Sequence, residues 1–294
     1  MTETISAVVV NYNAGDLLLA CIDSLIACPI VGEIIVVDNA SHDGSLEAIQ
    51  DFERVIIIRN SQNLGFATAC NKGIELAKFD FILFLNPDCT FEKGTFIQIM
   101  QCMQSDERIG MAGGLLVNPD GSEQAGCRRS VPTPWRSFVR AFGLYRFEAR
   151  WPRLFCDFNQ LNQPMPSVPI EVEALSGACM LVKREAIEDV GLWDEDYFLH
   201  CEDLDWCMRF RLKEWKVVFV PNAKVVHAIG ACSHSRPIFV EWHKHKGMIR
   251  FYRKFFSHQY PGVLMWLVVI GVWFRFFMVA IHHSLRSVRS KGLK

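Results

Sequence analysis

Phe81-Ile82-Leu83-Phe84-Leu85-Asn86-Pro87-Asp88 is an apolar run that stops abruptly on a polar triplet. A continuous run of this kind, bounded by a turn signal, predicts a strand buried on both faces of a parallel sheet. In open α/β sheets, ligands bind at the carboxyl ends of such strands. Pro87 stops the strand and restrains the turn, which keeps the Asp88 carboxylate near the strand tip. A carboxylate fixed there can hold a divalent cation against a diphosphate. Asn-Pro-Asp is also ordinary turn chemistry, so the stretch alone leaves both readings open.

The same alternation recurs upstream. Ser6–Val10, Glu33–Val37 and Val55–Arg59 read as strands, Asp16–Ile26 and Gly65–Ala77 as helices, and Leu46–Phe52 as a short amphipathic helix. This order predicts βαβ units with right-handed crossovers and a mostly parallel sheet. From about Pro119 to Pro169 the pattern degrades into prolines, aromatics and Arg128, Arg129, Arg136, Arg140, Arg146, Arg150 and Arg153. That is too long for a plain loop in a compact domain, so short helices or a mobile flap are expected. Regularity returns at Ala178–Val182, Lys183–Val190, Asp203–Trp215 and Lys216–Val220. The expected division is 1–118, an insertion or flap at 119–170, a second half at 171–235, and a C-terminal helical extension at 236–294.

Half of the 294 residues are hydrophobic, so a sizeable core is available, and the net charge of -1 gives no reason to expect nucleic-acid binding. The N-terminus shows no basic segment followed by an apolar run, so a secretory signal is not expected. The 11 cysteines form no C-x-x-C pair, which points to reduced thiols in a cytosolic setting. Val263–Ile281 is strongly apolar but interrupted by Arg275. His243, Lys244, His245, Lys246, Arg250, Arg253 and Lys254 precede it, and Arg286, Arg289, Lys291 and Lys294 follow. An arginine in mid-span costs roughly 2.5–3.5 kcal/mol on an insertion scale. A helix lying in the interface avoids that cost. A membrane span and a buried helix or oligomer contact stay open, as does the oligomeric state.

Three strand ends finish in polar groups: Asn11-Tyr12-Asn13, Asp38-Asn39 and Asn86-Pro87-Asp88. A parallel sheet gathers these tips along one edge, where an Asp after the second strand can accept from a ribose or base. Asn63-Leu64-Gly65-Phe66 and Asn71 add a small-residue turn and an amide at the same edge. Neither G-x-G-x-x-G nor G-x-x-x-x-G-K-[ST] occurs, which argues against dinucleotide and P-loop sites. Downstream, Glu202, Asp203 and Asp205 cluster at a predicted helix start, where the dipole favours ionised carboxylates. They suit either base catalysis toward a hydroxyl or simple helix capping. His227 directly follows an apolar strand and reads as a core histidine or a ligand.

Taken in order, Val8 to Asn13, Val36 to Ser41, Asn63 to Phe66, Asn86-Pro87-Asp88, Ser176 to Met180, Gly191 to Asp194 and Phe198 to Trp206 resemble the inverting family-2 glycosyltransferases of GT-A fold. The resemblance covers roughly Ala7 to Gly230. It looks most like bacterial rhamnosyltransferases of cell-surface polysaccharide assembly, and secondarily like galactofuranosyltransferases. It implies an α/β, Rossmann-like, mostly parallel sheet with flanking helices, a nucleotide-sugar half before residue 118 and an acceptor and catalytic half after 171. The implied donor-binding set is Asn11, Asn13, Asp38, Asn39, Asn63, Gly65, Asn71, Asn86 and Asp88. Asp38 would contact the base or ribose. Asp88 and His227 would hold Mg²⁺ or Mn²⁺, with Asn86 standing where a carboxylate is usual and contacting the metal indirectly. Asp203 would be the catalytic base supported by Glu202, and Trp193, Asp194 and Gly177 would shape the acceptor pocket.

The implied reaction is a single displacement with inversion, in which Asp203 takes the acceptor hydroxyl proton and the metal stabilises the departing diphosphate. The expected partners are a nucleoside-diphosphate sugar (dTDP-rhamnose first), a saccharide or polyprenyl-diphosphate-linked acceptor, and the cytoplasmic surface of the inner membrane. A processive synthase would carry Q-x-x-R-W, and a nucleotidyltransferase a glycine-rich basic loop near Ala7–Ala14; neither is present. A catalytically inactive nucleotide-sugar-binding membrane scaffold is the non-enzyme alternative.

Overall fold

In the computed structural model, which describes residues 3–228 and 236–291, the apolar runs of the first half become parallel strands. β1 (Ile5–Asn11), β2 (Val31–Asp38), β3 (Val55–Arg59) and β4 (Phe81–Leu85) alternate with α1 (Asp16–Ile26) and α2 (Phe66–Leu76). β1 pairs in parallel with β2 and β4, and β2 with β3. All of β1 and β4 is buried, as sequences apolar on both faces require. Leu46–Phe52 is not a helix. It forms only consecutive turns, such as Ile49 N to Leu46 O at 3.2 Å, because so short a segment gains too few bonds to offset nucleation.

The chain continues through β5 (Cys89–Phe91), α3 (Thr95–Gln104), β6 (Ile109–Val117), β7 (Arg128–Arg129), α4 (Pro134–Ala141), β8 (Ile170–Glu171), β9 (Ala174–Leu175) and β10 (Cys179–Lys183). α5 (Arg184–Val190), α6 (Glu202–Leu212), β11 (Lys216–His227), α7 (Pro237–Phe256) and α8 (Val263–Lys291) complete it. The sheet order is β3-β2-β1-β4-β10-β6-β11-β5, with β8 also on β11. β10 runs antiparallel to β4 and β6, while β11 is parallel to β6. The reversal matters for function: β10 begins where β4 ends, so the residues just before it reach the edge that carries Asn86. The core on one face centres on Phe84, edge-on to Trp193 and Trp206 at 5.3 and 5.4 Å, contacts worth about 0.5–1.5 kcal/mol each. The 119–170 segment holds β7, α4 and 3-10 turns at Leu144–Phe147 and Gln160–Asn162, in keeping with short helices.

Among the described residues the cysteines are all free, and all but Cys156 are buried. α7 and α8 pack together, and Arg250 and Lys254 of α7 pair with Asp194 at 2.9 and 2.7 Å. Lys254 also reaches Asp205 at 2.7 Å, tying the extension to α6. Within α8, Val263–Leu285 is long and apolar enough to cross a membrane. Arg275 is exposed, with its Nη1 3.0 Å from Nε2 of the buried His245 on α7. That contact corrects one expectation: His245 is not part of a headgroup-facing basic flank. The side chains of Arg286, Arg289 and Lys291, together with Lys294 and residues 229–235 (hence Gly230), lie outside the described part.

Candidate active site

β5 returns antiparallel along the end of β11, and this pairing builds one side of the site. His227 aligns with Cys89, which sets His227 Nε2 3.1 Å from Asp88 Oδ1. Gln124 fixes the imidazole. Its Oε1 accepts from His227 Nδ1 at 2.8 Å, while its Nε2 donates to the carbonyls of His227 and Val117 at 2.5 and 3.3 Å. With the amide nitrogen committed to two carbonyls, Nδ1 is the ring donor to Gln124 and Nε2 is turned toward Asp88. A carboxylate oxygen and an imidazole nitrogen this close share a cation between them, a proton or a metal ion. Ligand atoms about 3 Å apart also match neighbouring corners of an octahedron with metal–ligand bonds of about 2.1 Å. The pair therefore fits a divalent cation. Cys89 also lies within reach, but its buried thiol donates to Ala178 O. Burial, then the Asp88 charge, pushes that thiol's pKa up and away from the thiolate form. Asn86 Nδ2 stands 3.4 Å from His227 Nε2, beside the pair rather than within it.

The other side is carried by the reversed strand. Asn86 N donates to Ala178 O at 3.0 Å, and the neighbouring Gly177 N donates to Asp203 Oδ2 at 3.2 Å. Two consecutive residues, Gly177 and Ala178, thus link the turn that carries Asp88 to Asp203. A Cβ on Gly177 would stand 3.4 Å from Asp203 Cβ, so the two residues are in direct contact. Asp203 lies in the first turn of α6, after His200 and Cys201, which hold positive φ values of 67° and 72°. Such conformations cost of order 1–3 kcal/mol each and collect at functional sites. Asp203 does not cap the helix: Oδ1 accepts from Leu204 N at 2.8 Å, and Oδ2 is ion-paired with Arg129. Arg129 also donates to Leu175 O at 3.1 Å, and its strand β7 is paired to β9. Glu202 is buried, and desolvation first, then the Asp203 charge, pushes its pKa up to about 8. It is carried largely as the neutral acid at pH 7.

The remaining donor-side residues form a mesh under the strand tips. Asp38 is buried; its Oδ1 accepts from Asn11 Nδ2 at 2.8 Å and its Oδ2 from Ser41 N at 3.1 Å. Asn13 Oδ1 accepts from His42 N at 2.9 Å. Asn39 donates to Gly65 O at 3.1 Å and accepts from Asn60, and Asn63 Oδ1 accepts from Gly65 N at 2.9 Å. Gly65, at φ +86°, lies so close to the acceptor half that a Cβ would meet Phe198 O at 2.6 Å. Only glycine fits that approach, and Phe66 N seals it by donating to Phe198 O at 2.9 Å.

Three expected contacts are placed differently. Asn71 accepts from Trp193 N and donates to Trp193 O, both at 3.0 Å, and donates to Glu195 at 2.8 Å. No amide hydrogen is left for a nucleotide, so Asn71 bolts α2 to the 193–195 loop. Trp193 is buried between Phe66, Phe84 and Trp206 rather than open to an acceptor. Asp194 is engaged by Arg250 and Lys254. Conversely, Gln124 and Arg129 were not singled out by local pattern: both lie in the irregular 119–170 stretch, where only the density of arginines gave a signal. Replacing Gln124 by Leu should leave folding intact but weaken Mn²⁺ binding about 10–100-fold, measured by calorimetric titration.

A parallel-sheet edge of polar strand tips, a carboxylate–imidazole pair fit for a divalent cation, and an acidic group joined to it through Gly177 and Ala178 fit a glycosyltransferase of GT-A-like fold. The Glycosyl transferase family 2 model matches residues 6–191, and the chain belongs to that family. The match ends before Asp203 and His227. The N-acetylglucosaminyl-diphospho-decaprenol L-rhamnosyltransferase of Mycobacterium tuberculosis is 29% identical over 307 residues, covering 100% of this chain and 98% of that protein. The dTDP-rhamnosyl transferase RfbF of Shigella flexneri is 27% identical, covering 86% of this chain and 78% of RfbF. Among solved structures, GalNAc-T7 with UDP, GalNAc and Mn²⁺ has a TM-score of 0.62 at 18% identity, covering 86% of this chain. This chain spans about half (48%) of that longer one. The mannosyltransferase PcManGT of Pyrobaculum calidifontis with GDP-Man and Mn²⁺ has a TM-score of 0.57 at 15% identity, covering 86% of this chain and 64% of PcManGT. These two likenesses are of fold.

Proposed function

We propose that the chain transfers L-rhamnose from dTDP-rhamnose, with inversion, to a polyprenyl-diphosphate-linked saccharide in cell-surface polysaccharide synthesis. The observation that supports the reaction type is the Gly177-Ala178 link, which connects Asp203 to the turn carrying Asp88. The choice of sugar and acceptor is supported by the full-length similarity to the mycobacterial enzyme. Asp88 and His227 would hold Mn²⁺ or Mg²⁺; when bound, the ion supplies Lewis-acid stabilisation of the departing diphosphate. Asp203 accepts the acceptor hydroxyl proton on a carboxylate oxygen. Arg129 and the Gly177 N–H hold that carboxylate in place, so that the attacking oxygen is aligned before bond formation. Asp38 and Asn11 organise the loop over the nucleoside, and Gly65 lets Phe198 close against it.

α8 would sit in the membrane and bring this site to a lipid-linked acceptor. Its Leu264, Trp266, Leu267, Ile270, Phe274 and Phe277 are exposed. Exposed Trp135, Phe138 and Phe142 of α4 add aromatic surface of the kind found at headgroup depth. The reading is tested by hydrolysis and transfer across dTDP-rhamnose, UDP-galactofuranose, UDP-hexoses and GDP-mannose, with and without Mn²⁺. dTDP-rhamnose should be turned over at least tenfold faster than the others. Preference for a UDP-sugar would reassign the donor, and binding without turnover of any donor would favour an inactive scaffold.

A further inference from the structure

Between α7 and α8 lies an open cavity of about 780 Å³, away from the site described above. One wall comes from α7, where Lys246, Arg250, Arg253 and Lys254 line it with Ile249. The opposite wall is apolar, built from Val269 and Trp273 of α8. Asp196 lines the cavity too, paired with Arg250 at 2.6 Å. Arg250 and Lys254 already carry acidic partners, but Lys246 and Arg253 have none among the described residues. Lys246, Arg250 and Arg253 follow one another at helical spacing, so they share a face of α7. The pocket is thus cationic on one side and apolar on the other. It is continuous with a helix whose outer face, at Ile270 and Phe274, is exposed and apolar.

A soluble anion would leave the Val269–Trp273 wall bare, and a neutral lipid would leave two cations without counter-charge. We infer that this groove binds a net-anionic, phosphate-headed membrane lipid, its phosphate between Lys246 and Arg253 and its hydrocarbon chain along Val269 and Trp273. The chemistry is common to an anionic phospholipid and to the polyprenyl diphosphate of an acceptor. Basic pockets between membrane-associated helices recognise headgroups in this way, each cation adding about fivefold in affinity. In identifying the lipid with an acceptor, the inference rests on the proposed function; in assigning a lipid site it does not.

Native mass spectrometry of the full chain in detergent tests it, with phosphatidylglycerol, phosphatidylcholine and a polyprenyl diphosphate as probes. Wild type should retain one net-anionic lipid, phosphatidylglycerol or the polyprenyl diphosphate, and no zwitterionic phosphatidylcholine. Lys246→Gln/Arg253→Gln, which changes two exposed side chains, should bind the retained lipid at least tenfold more weakly, while donor hydrolysis stays unchanged. If the site serves the acceptor, the variant's KM for the lipid-linked acceptor rises by the same factor with kcat preserved. If it serves a structural phospholipid, KM is unchanged and only phosphatidylglycerol is lost. Equal binding of all three lipids by wild type and variant overturns the inference. Failure of wild type to turn over any donor would instead sink the glycosyltransferase mechanism, leaving the lipid measurement standing.

Discussion

Asp203→Asn should lower kcat for transfer by about a thousandfold, within the 10²–10⁴ range that a positioned base contributes, and leave donor affinity unchanged. The amide keeps the shape and can still accept from Gly177 N at the position Oδ2 now holds. It cannot take the acceptor proton. It also removes the charge that faces the half-buried Arg129, so some loss of thermal stability accompanies the change. The discriminating readout is therefore the split between nucleotide binding and turnover, measured on protein that still melts cooperatively. Turnover near the wild-type rate would remove Asp203 from the base role. In that variant the Asp203 charge no longer raises the Glu202 pKa and only burial does, so Glu202→Gln in the same background would then test Glu202 as the base.

Asp88→Ala should produce a loss of similar size by a different route. It leaves His227 Nε2, oriented by Gln124, without its carboxylate neighbour. One nitrogen ligand does not retain an oxygen-seeking cation, so Mn²⁺ binding is lost. With it goes electrostatic stabilisation worth several kcal/mol, which converts to on the order of a thousandfold in kcat/KM. The measurement is Mn²⁺ titration of the variant beside its rate in saturating metal. Undiminished metal affinity would place the ion elsewhere.

The parallel half of the sheet was legible because β1, β2 and β4 are apolar on both faces and end in turn residues, a pattern that buried strands impose directly. β6 was not, although it lies inside the sheet between β10 and β11. Gly110, Gly113 and Gly114 dilute its strand signal, yet a Cβ at Gly114 would stand 2.2 Å from Ala223 O and one at Gly113 2.8 Å from Cys179 O. The glycines are there because neighbouring chain segments crowd the strand, a tertiary fact with no local signature. The same distinction runs through the site. Asp88, Asp203 and His227 stand at element ends and could be named from their flanks. Gln124 and Arg129 act across 103 and 74 residues of chain, and nothing near them in sequence announces their partners. Asn71, Trp193 and Asp194 show the converse. Their residue types suited a binding edge, but their hydrogen bonds, burial and ion pairs are spent holding α2, the 191–196 loop and α7 together.

The central claim is a single displacement in which Asp203 deprotonates the acceptor opposite the Asp88–His227 pair, with no covalent sugar on the enzyme. The anomeric configuration of the product, read by proton and carbon NMR from a donor of defined configuration, tests this most directly. The account predicts a product whose anomeric centre is inverted relative to the donor. A product with the donor's configuration retained would contradict it.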